Sequence, residues 1–286
     1  MPPKLAFSAN AFKKTSFTVA ASEIAAIGYS AIEIFADYPH FYPLETPVET
    51  QLEILRLLQE MELKVSNVNA FTMYRVKDTW RPSFIDPEAV LRQKRLDHTV
   101  AAMEMASRLK CPTVSTEPGG PLDAGQTREE AMAMFLDGLA EVLDRTSHLD
   151  TLLLIEPEPG LLLQTTADAQ DFLDRVTDPR IAINFDAGHF FCVGEDPAEA
   201  VHKLAGRFDH VHIEDIAESR KHVHLVPGDG AMDFRALFRA LADIGYDGFV
   251  TVELYPFEDK PAQVAERAME YLGPIWLDVF GKDPAE

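Results

Sequence analysis

Cysteine is scarce in this chain. Cys111 and Cys192 are its two cysteines in 286 residues, far apart and in no pair spaced for a disulfide framework or a thiolate metal site. Each lies beside or within an expected strand, where a buried free thiol is the ordinary reading. Basic charge is also short: 26 Lys and Arg stand against 47 Asp and Glu, a net charge of −21. That balance repels phosphate backbones and anionic bilayers, so neither nucleic acid nor a membrane is expected as a partner. A metal ion in a cleft can still reverse the sign locally for a small anionic substrate. No apolar run approaches the ~18 residues of a membrane-spanning helix, and residues 1–10 lack the long apolar core of a signal peptide. The expectation is a reducing, cytoplasmic setting.

What is present is an ordinary globular composition, 47% hydrophobic and 26% charged, that can bury a large core. Short apolar, β-branched runs alternate with longer segments of helical period, eight times over. Strands are expected at 4–10, 31–36, 64–70, 113–116, 151–156, 181–186, 210–214 and 249–254. Helices are expected at 18–27, 48–61, 87–109, 128–143, 167–176, 197–204, 234–244 and 261–271. The run Leu152, Leu153, Leu154, Ile155 has no polar alternation, as in a strand buried on both faces of a parallel sheet. The first expected strand is followed by Asn10, Ala11, Phe12 and Lys13, without the Gly-rich turn of a doubly wound nucleotide-binding sheet. The expected fold is therefore a single-domain (β/α)8 TIM barrel spanning 1–286.

In such barrels the chemistry sits at the C-terminal ends of the strands. Strand five ends at Glu156, strand six at Asp186 and strand eight at or near Glu253, while strand seven carries His210 and His212. Four consecutive strands thus bring a carboxylate or an imidazole to one rim. Converging buried anions repel strongly unless a cation lies between them. Glu156, Asp186, His212 and Glu253 form a hard oxygen and nitrogen donor set suited to one divalent ion: Mn, Mg, Co or Zn. His210 shares a strand face with His212, and His212, nearer the strand end, is the expected ligand. His189 follows Asp186 by three residues and is placed to touch a substrate hydroxyl or carbonyl. Asn67, Asn69, Glu117 and Glu158 also lie near strand ends, where they can contact hydroxyls or organise loops. The loop 71–84 holds Tyr74, Arg75 and Trp80 and is long enough for a lid. Gly228 and Gly230 precede a helix and read mainly as a turn, with an anion cradle as the alternative.

The segments Ile155–Pro157, Asn184–His189, His210–His212 and Val252–Leu254, supported by 28–33, 227–230 and 245–248, resemble the xylose-isomerase-like barrels. Within that superfamily they are most similar to the sugar phosphate isomerase/epimerase group, which includes tagatose 3-epimerase, hydroxypyruvate isomerase and inosose-processing enzymes. The resemblance runs over nearly the whole chain. It implies that Glu156, Asp186, His212 and Glu253 bind one divalent ion. It implies too that Glu156 and Glu253 face each other across the substrate as catalytic acid and base, and that His189 contacts the substrate. One departure is visible: an arginine that the epimerases carry shortly before the Pro-Gly motif is replaced by His224, after an insertion-like stretch, 217–223, that includes Arg220. With Glu158, these residues complete the expected substrate-binding set of His189, His224, Arg220 and Glu158.

The expected activity is proton abstraction next to the carbonyl of a sugar or keto-cyclitol, through an enediolate stabilised by the metal, giving isomerisation or epimerisation. The same enediolate can expel a β-hydroxyl, so a dehydratase of the inosose or dehydroshikimate type is the nearest alternative. A non-catalytic sugar-binding barrel is a weaker one. A multi-metal DNA-repair endonuclease would need further histidines, and none stand on strands two to four. A Schiff-base aldolase would need a lysine at a strand end, and the strands end in none. Apolar residues on outward helix faces leave a homo-oligomer as a further expectation.

Overall fold

The computed structural model describes residues 2–284. Eight parallel strands close into a barrel in chain order: β1 (Lys4–Ser8), β2 (Ala31–Phe35), β3 (Lys64–Asn69), β4 (Thr113–Thr116), β5 (Leu152–Ile155), β6 (Ile181–Asp186), β7 (Phe208–Ile213) and β8 (Phe249–Val252). Closure is made by β1 against β8, with Lys4 opposite Phe249 and Phe7 opposite Val252. Around the strands lie α1 (Phe17–Ile27), α2 (Val48–Glu60), α3 (Ala89–Arg108), α4 (Arg128–Arg145), α5 (Thr166–Arg175), α6 (Ala187–Cys192), α7 (Pro197–Lys203), α8 (Phe234–Asp243) and α9 (Pro261–Phe280). Of these, α6 is a short helix that directly follows β6.

Local chemistry explains most helix ends. Ser16 caps α1 by accepting from the Val19 amide, and Gly28 ends it at φ +103, a conformation that costs glycine little. Thr127 with Glu130, and Thr165 with Asp168, form reciprocal capping boxes for α4 and α5. The expected end of the last helix at 271 is corrected: α9 continues through Pro274 to Phe280. A proline interrupts the helical bonding and costs about 3 kcal/mol. Here the helix is carried past it by Leu272 and Trp276, both buried, with Trp276 packed edge-on against Phe238 and close to Phe280.

Alternation along the strands separates two interiors. Outward-facing Phe7, Ile34, Val68, Val114, Leu153, Ile155, Phe185, Val211 and Val252 are buried against the helices and form the hydrophobic core. The inside of the barrel is unusually polar. Ser8, Glu33, Ser66, Asn67, Thr113, Asn184, His210, His212 and Thr251 are all buried there and hydrogen-bonded.

Two irregularities help to build this interior. Between β6 and β7 the register slips, so that Ile183 pairs with Phe208 but Asn184 pairs with His210. The extra residue, Asp209, reverses the facing of the residues after it. Phe208 therefore packs outward on Phe185 and Tyr246, while His210 and His212 turn inward. The second slip, between β2 and β3, turns both Ser66 and Asn67 inward, to Thr251 and Glu33.

Candidate metal centre and its pocket

Glu156 lies one residue past β5, Asp186 ends β6, His212 is the penultimate residue of β7, and Glu253 lies one residue past β8. The fold brings these four together: one donor atom from each falls within 4.8 Å of the others, and all four residues are buried. His212 Nδ1 is 3.1 Å from Glu156 Oε1, 3.9 Å from Asp186 Oδ2 and 4.0 Å from Glu253 Oε1. Asp186 also caps α6, its Oδ1 accepting from the His189 amide at 2.8 Å. That bond fixes the carboxylate and leaves Oδ2 aimed at the cluster. Asn10 and Asn69 donate to Glu253 Oε1 at 2.8 and 3.2 Å and hold it from the side.

The electrostatics suit a cation. Burial pushes the Glu156 carboxyl up to about 7, against the pull of His212. Burial, with the neighbouring carboxylates adding to it, holds Glu253 well above the usual range. Asp186 is raised as well, by burial first. Glu156 Oε2 and Asp186 Oδ2 are buried without a hydrogen-bond partner, a costly condition that an ion would relieve. The donor set and these two orphaned oxygens fit a divalent metal.

Glu33 was not among the expected site residues, yet it organises the centre. Its Oε2 accepts from His212 Nε2 at 2.6 Å, which turns Nδ1 toward the carboxylates. Metal-binding histidines are held by an outer carboxylate in this way. Ser8 at 2.6 Å, Asn67 at 2.9 Å and Asn69 at 3.4 Å donate to Glu33. Burial opposes its ionisation, but His212, His210 and Asn67 outweigh that and hold it near 2. The signal in the sequence was a lone carboxylate inside the five-residue strand Ala-Ile-Glu-Ile-Phe, buried on both faces. Glu214, also missed, is fully buried beside Asp186. Burial first, then the Asp186 and Glu253 carboxylates, raises its carboxyl well above the usual range, and a proton there would be shared with Asp186.

The cluster opens into a cavity of about 220 Å³ lined by Glu156, Glu158, His189, His222, His224 and Glu253, with Lys13, Asn69, Tyr74, Trp80 and Tyr255 around its mouth. This volume lies below the ~300 Å³ at which pockets for drug-sized ligands begin, so it suits a small molecule. Tyr74 and Trp80 keep 46% and 43% of their surface exposed while lining the mouth, on a segment tied to Asp37 through Thr72 Oγ1 and the amides of Tyr74 and Arg75. Of the expected substrate contacts, His189, His224 and Glu158 line this cavity; Arg220 does not. That expectation is corrected: Arg220 is exposed, its guanidinium donating to the Phe191 and Glu195 carbonyls and stacking over the Phe191 ring. His222 takes a place in the cavity instead. The alternation His222, Val223, His224 was its signal, with Val223 pointing out to solvent.

Two lesser expectations resolve. Glu117 is a loop organiser, accepting from the Phe84 and Gly119 amides. The amides of Gly228 and Gly230 do cradle an anion, but it is the chain's own Asp215, at 2.9 and 2.8 Å. The cysteines are free.

Comparison with known proteins agrees with this fold. The family described as Xylose isomerase-like TIM barrel matches residues 21–275. The chain belongs to that family. An inosose dehydratase from Clostridium perfringens is 25% identical over 280 residues, covering 91% of this chain and 90% of that protein. Among solved structures, a D-tagatose 3-epimerase-like protein superposes with a TM-score of 0.81 at 21% identity, covering 97% of this chain and 98% of the other. The IOLI protein with a bound zinc atom gives 0.79 at 19%, covering 98% and 100%. The two structures share the fold. No helix among the described residues is long and apolar enough to cross a membrane.

Proposed function

We propose that this protein is a divalent-metal-dependent enzyme acting on a small keto-sugar or keto-cyclitol, by removing the proton on the carbon next to the carbonyl. The observation that carries the reading is the pair Glu156 and Glu253. They stand three strands apart on the barrel rim, after β5 and β8, and face one small cavity. Glu156, Asp186, His212 and Glu253 would hold the ion, which supplies Lewis-acid polarisation of the substrate carbonyl when bound. One glutamate takes the proton. The other returns one, at the same carbon for epimerisation or at the neighbouring carbon for isomerisation. Asn10 and Asn69 orient Glu253. Tyr74, Trp80 and Tyr255 at the mouth limit access of water to the reacting carbon.

A second fate of the same carbanion is loss of a β-hydroxyl as water, and the likeness to inosose dehydratase over 91% of the chain favours it as the alternative. One experiment tests the shared step and separates the fates. Keto-sugars and inososes are incubated in D2O with Mn²⁺, Mg²⁺, Co²⁺ or Zn²⁺. Deuterium next to the carbonyl of recovered sugar reports abstraction and return, while a new ultraviolet enone band reports dehydration. Glu156→Gln and Glu253→Gln are expected to lose both signals. Near-wild-type exchange in both variants would sink the reading.

A further inference from the structure

A lysine stands at the mouth of the cavity. Asn10 belongs to the 3-10 turn Ala9–Phe12 that follows β1, and Lys13 is the C-terminal cap of that turn. Side chains three residues apart on such a turn eclipse one another, so both line the same cavity. Asn10 reaches inward and donates to Glu253 at 2.8 Å. Lys13 lies among three rings from separate parts of the rim, Phe35, Tyr74 and Tyr255, with centroids 6.0, 5.8 and 5.9 Å from its ammonium. Glu258 Oε1 faces that ammonium at 2.7 Å, from outside the cavity lining.

We propose that Lys13, held by Glu258, grips uncharged hydroxyls at the end of the substrate remote from the metal centre, and that the pair turns away a phosphate or carboxylate there. The assignment rests on the keto-sugar or keto-cyclitol reading of the site and narrows it to neutral members.

A count of protons carries the first half. A lysine ammonium has three to donate and accepts none. One faces Glu258, and among the described residues no second acceptor is hydrogen-bonded to it. Two protons are left for a ligand. The three ring faces attract the ammonium and fix its place, and a hydroxyl that meets it there gains a charge-assisted bond.

A count of charge carries the second half. Lys13 is the one Lys or Arg among the residues lining the cavity, whereas Glu156, Glu158 and Glu253 all line it. With Glu258 at 2.7 Å the pair is neutral as a unit. A phosphate at the mouth would meet no unpaired cation and would stand beside the Glu258 carboxylate. Like charges set together reject the wrong partner, while a hydroxyl carries no such penalty.

The test is binding, read without turnover. The chain has two tryptophans; Trp80 lines the cavity and Trp276 is buried against Phe238, so a fluorescence change on binding reports Trp80. 2-Keto-myo-inositol, D-fructose and D-fructose 6-phosphate are titrated into full-length protein loaded with Mg²⁺, with circular dichroism confirming the fold of each variant. Wild type is expected to bind a neutral probe at least about tenfold more tightly than the phosphate. Lys13→Met keeps the alkyl chain among the rings and is expected to weaken the neutral probes about 10–100-fold, the range for a hydrogen bond from a charged donor, with Lys13→Arg recovering part of the loss. Glu258→Gln unmasks the ammonium and is expected to bring the phosphate level with the neutral probes. Lys14→Met removes an equal charge one residue away, where Lys14 pairs with Asp259 at the surface, and is expected to change nothing. A wild type that favours D-fructose 6-phosphate, or that binds neither neutral probe, would overturn the proposal. So would Lys13→Met binding within about twofold of wild type, or a loss reproduced by Lys14→Met. Binding as expected without deuterium exchange in the wild type would leave this pair standing and remove the proton abstraction. Exchange with binding indifferent to Lys13→Met would do the reverse.

Discussion

Replacing Glu33 by Gln isolates the role of a residue that touches neither the cavity nor, when an ion is bound, the ion itself. Gln has nearly the same volume, so no void is created in a fully buried position. Its carbonyl oxygen can still accept from His212 Nε2, now 2.6 Å from Glu33. Its amide can face the Ser8 hydroxyl, which is able to turn from donor to acceptor. The one contact reversed outright is the long 3.4 Å bond from Asn69. What the substitution removes is charge: the carboxylate held ionised near 2, which orients His212 and makes its Nδ1 a better donor. Loss of such an outer partner typically weakens metal affinity 10–100-fold, or about 1.4–2.8 kcal/mol at 1.4 kcal/mol per decade. The assay is competition for Zn²⁺ and Mn²⁺ between metal-free protein and a chromophoric chelator at fixed pH and salt. Melting of the metal-free protein is expected to fall, because the buried His212 imidazolium loses its nearest counter-charge, while the variant stays folded at the assay temperature. An affinity within twofold of wild type would refute the reasoning, and so would a loss of affinity matched by unfolding of the metal-free variant.

Three further outcomes are expected. In the metal-free protein Glu156 should contribute stability that falls as pH rises from 4.5 to 7, because it is pushed from 4.5 to about 7 in the fold and the folded state then holds a proton that the unfolded chain releases. Its contribution is full below 4.5 and gone above 7, at most about 3.5 kcal/mol at ~1.4 kcal/mol per unit; buried histidines such as His98 and His210, both held at about 3, pull the other way, so denaturation of wild type and Glu156→Gln in chelator at both pH values isolates it, and a difference between the two proteins that does not change with pH would contradict it. Gly188→Ala places a Cβ 1.6 Å from Glu214 Oε1, so α6 must shift at a cost of about 1–3 kcal/mol, and metal affinity should fall with it because Asp186 caps that helix. An unchanged denaturation midpoint would show that Glu214 yields freely. Asp215→Ala strips the acceptor from the amides of Ile216, Gly228, Gly230 and Met232 and should cost at least about 3 kcal/mol, with Asp215→Asn intermediate; a loss below about 1 kcal/mol would mean that water replaces the carboxylate.

The barrel was legible because its signal is repeated: eight apolar runs alternate with helical segments, and each strand is reinforced by the next. The inner cluster was legible because a carboxylate or imidazole recurs at the same rim on four consecutive strands. The parts that were hidden lack repetition. Glu33 is a single charged residue within an apolar strand, and its meaning depends on His212, 179 positions away. His222 sits in a loop whose path no periodicity encodes. The six residues of α6 are too few to show a helical stripe, and its start rests on one side-chain bond from Asp186. Arg220 looked like a substrate contact by its place in the sequence, but its φ of +56 turns the chain there and sends the guanidinium out to Phe191. The last helix was expected to stop at 271, but burial of Trp276 carries it on through Pro274.

On the proposed function, the placement of charge ties metal binding to catalytic competence. Glu33, Glu156, Asp186, Glu214 and Glu253 are all buried at or under the barrel mouth. Among their neighbours His212 takes a proton readily: burial disfavours its charge, but Glu33, Glu156 and Glu253 outweigh that and hold it well above its usual range. His210 is kept neutral, at about 3, by burial and by His212. Without an ion the remaining repulsion is relieved by protons on Glu214 and Glu253, and partly on Glu156. A protonated glutamate cannot serve as a base. A divalent ion held by Glu156, Asp186, His212 and Glu253 would displace the protons on those ligands, the one on His212 Nδ1 included, so its binding would release protons and weaken as pH falls. The acid limb of the pH–rate profile and the release of metal should therefore coincide, and Glu33→Gln should move both together. If activity fell at a pH where the metal was still fully bound, the titrating group would lie outside this cluster.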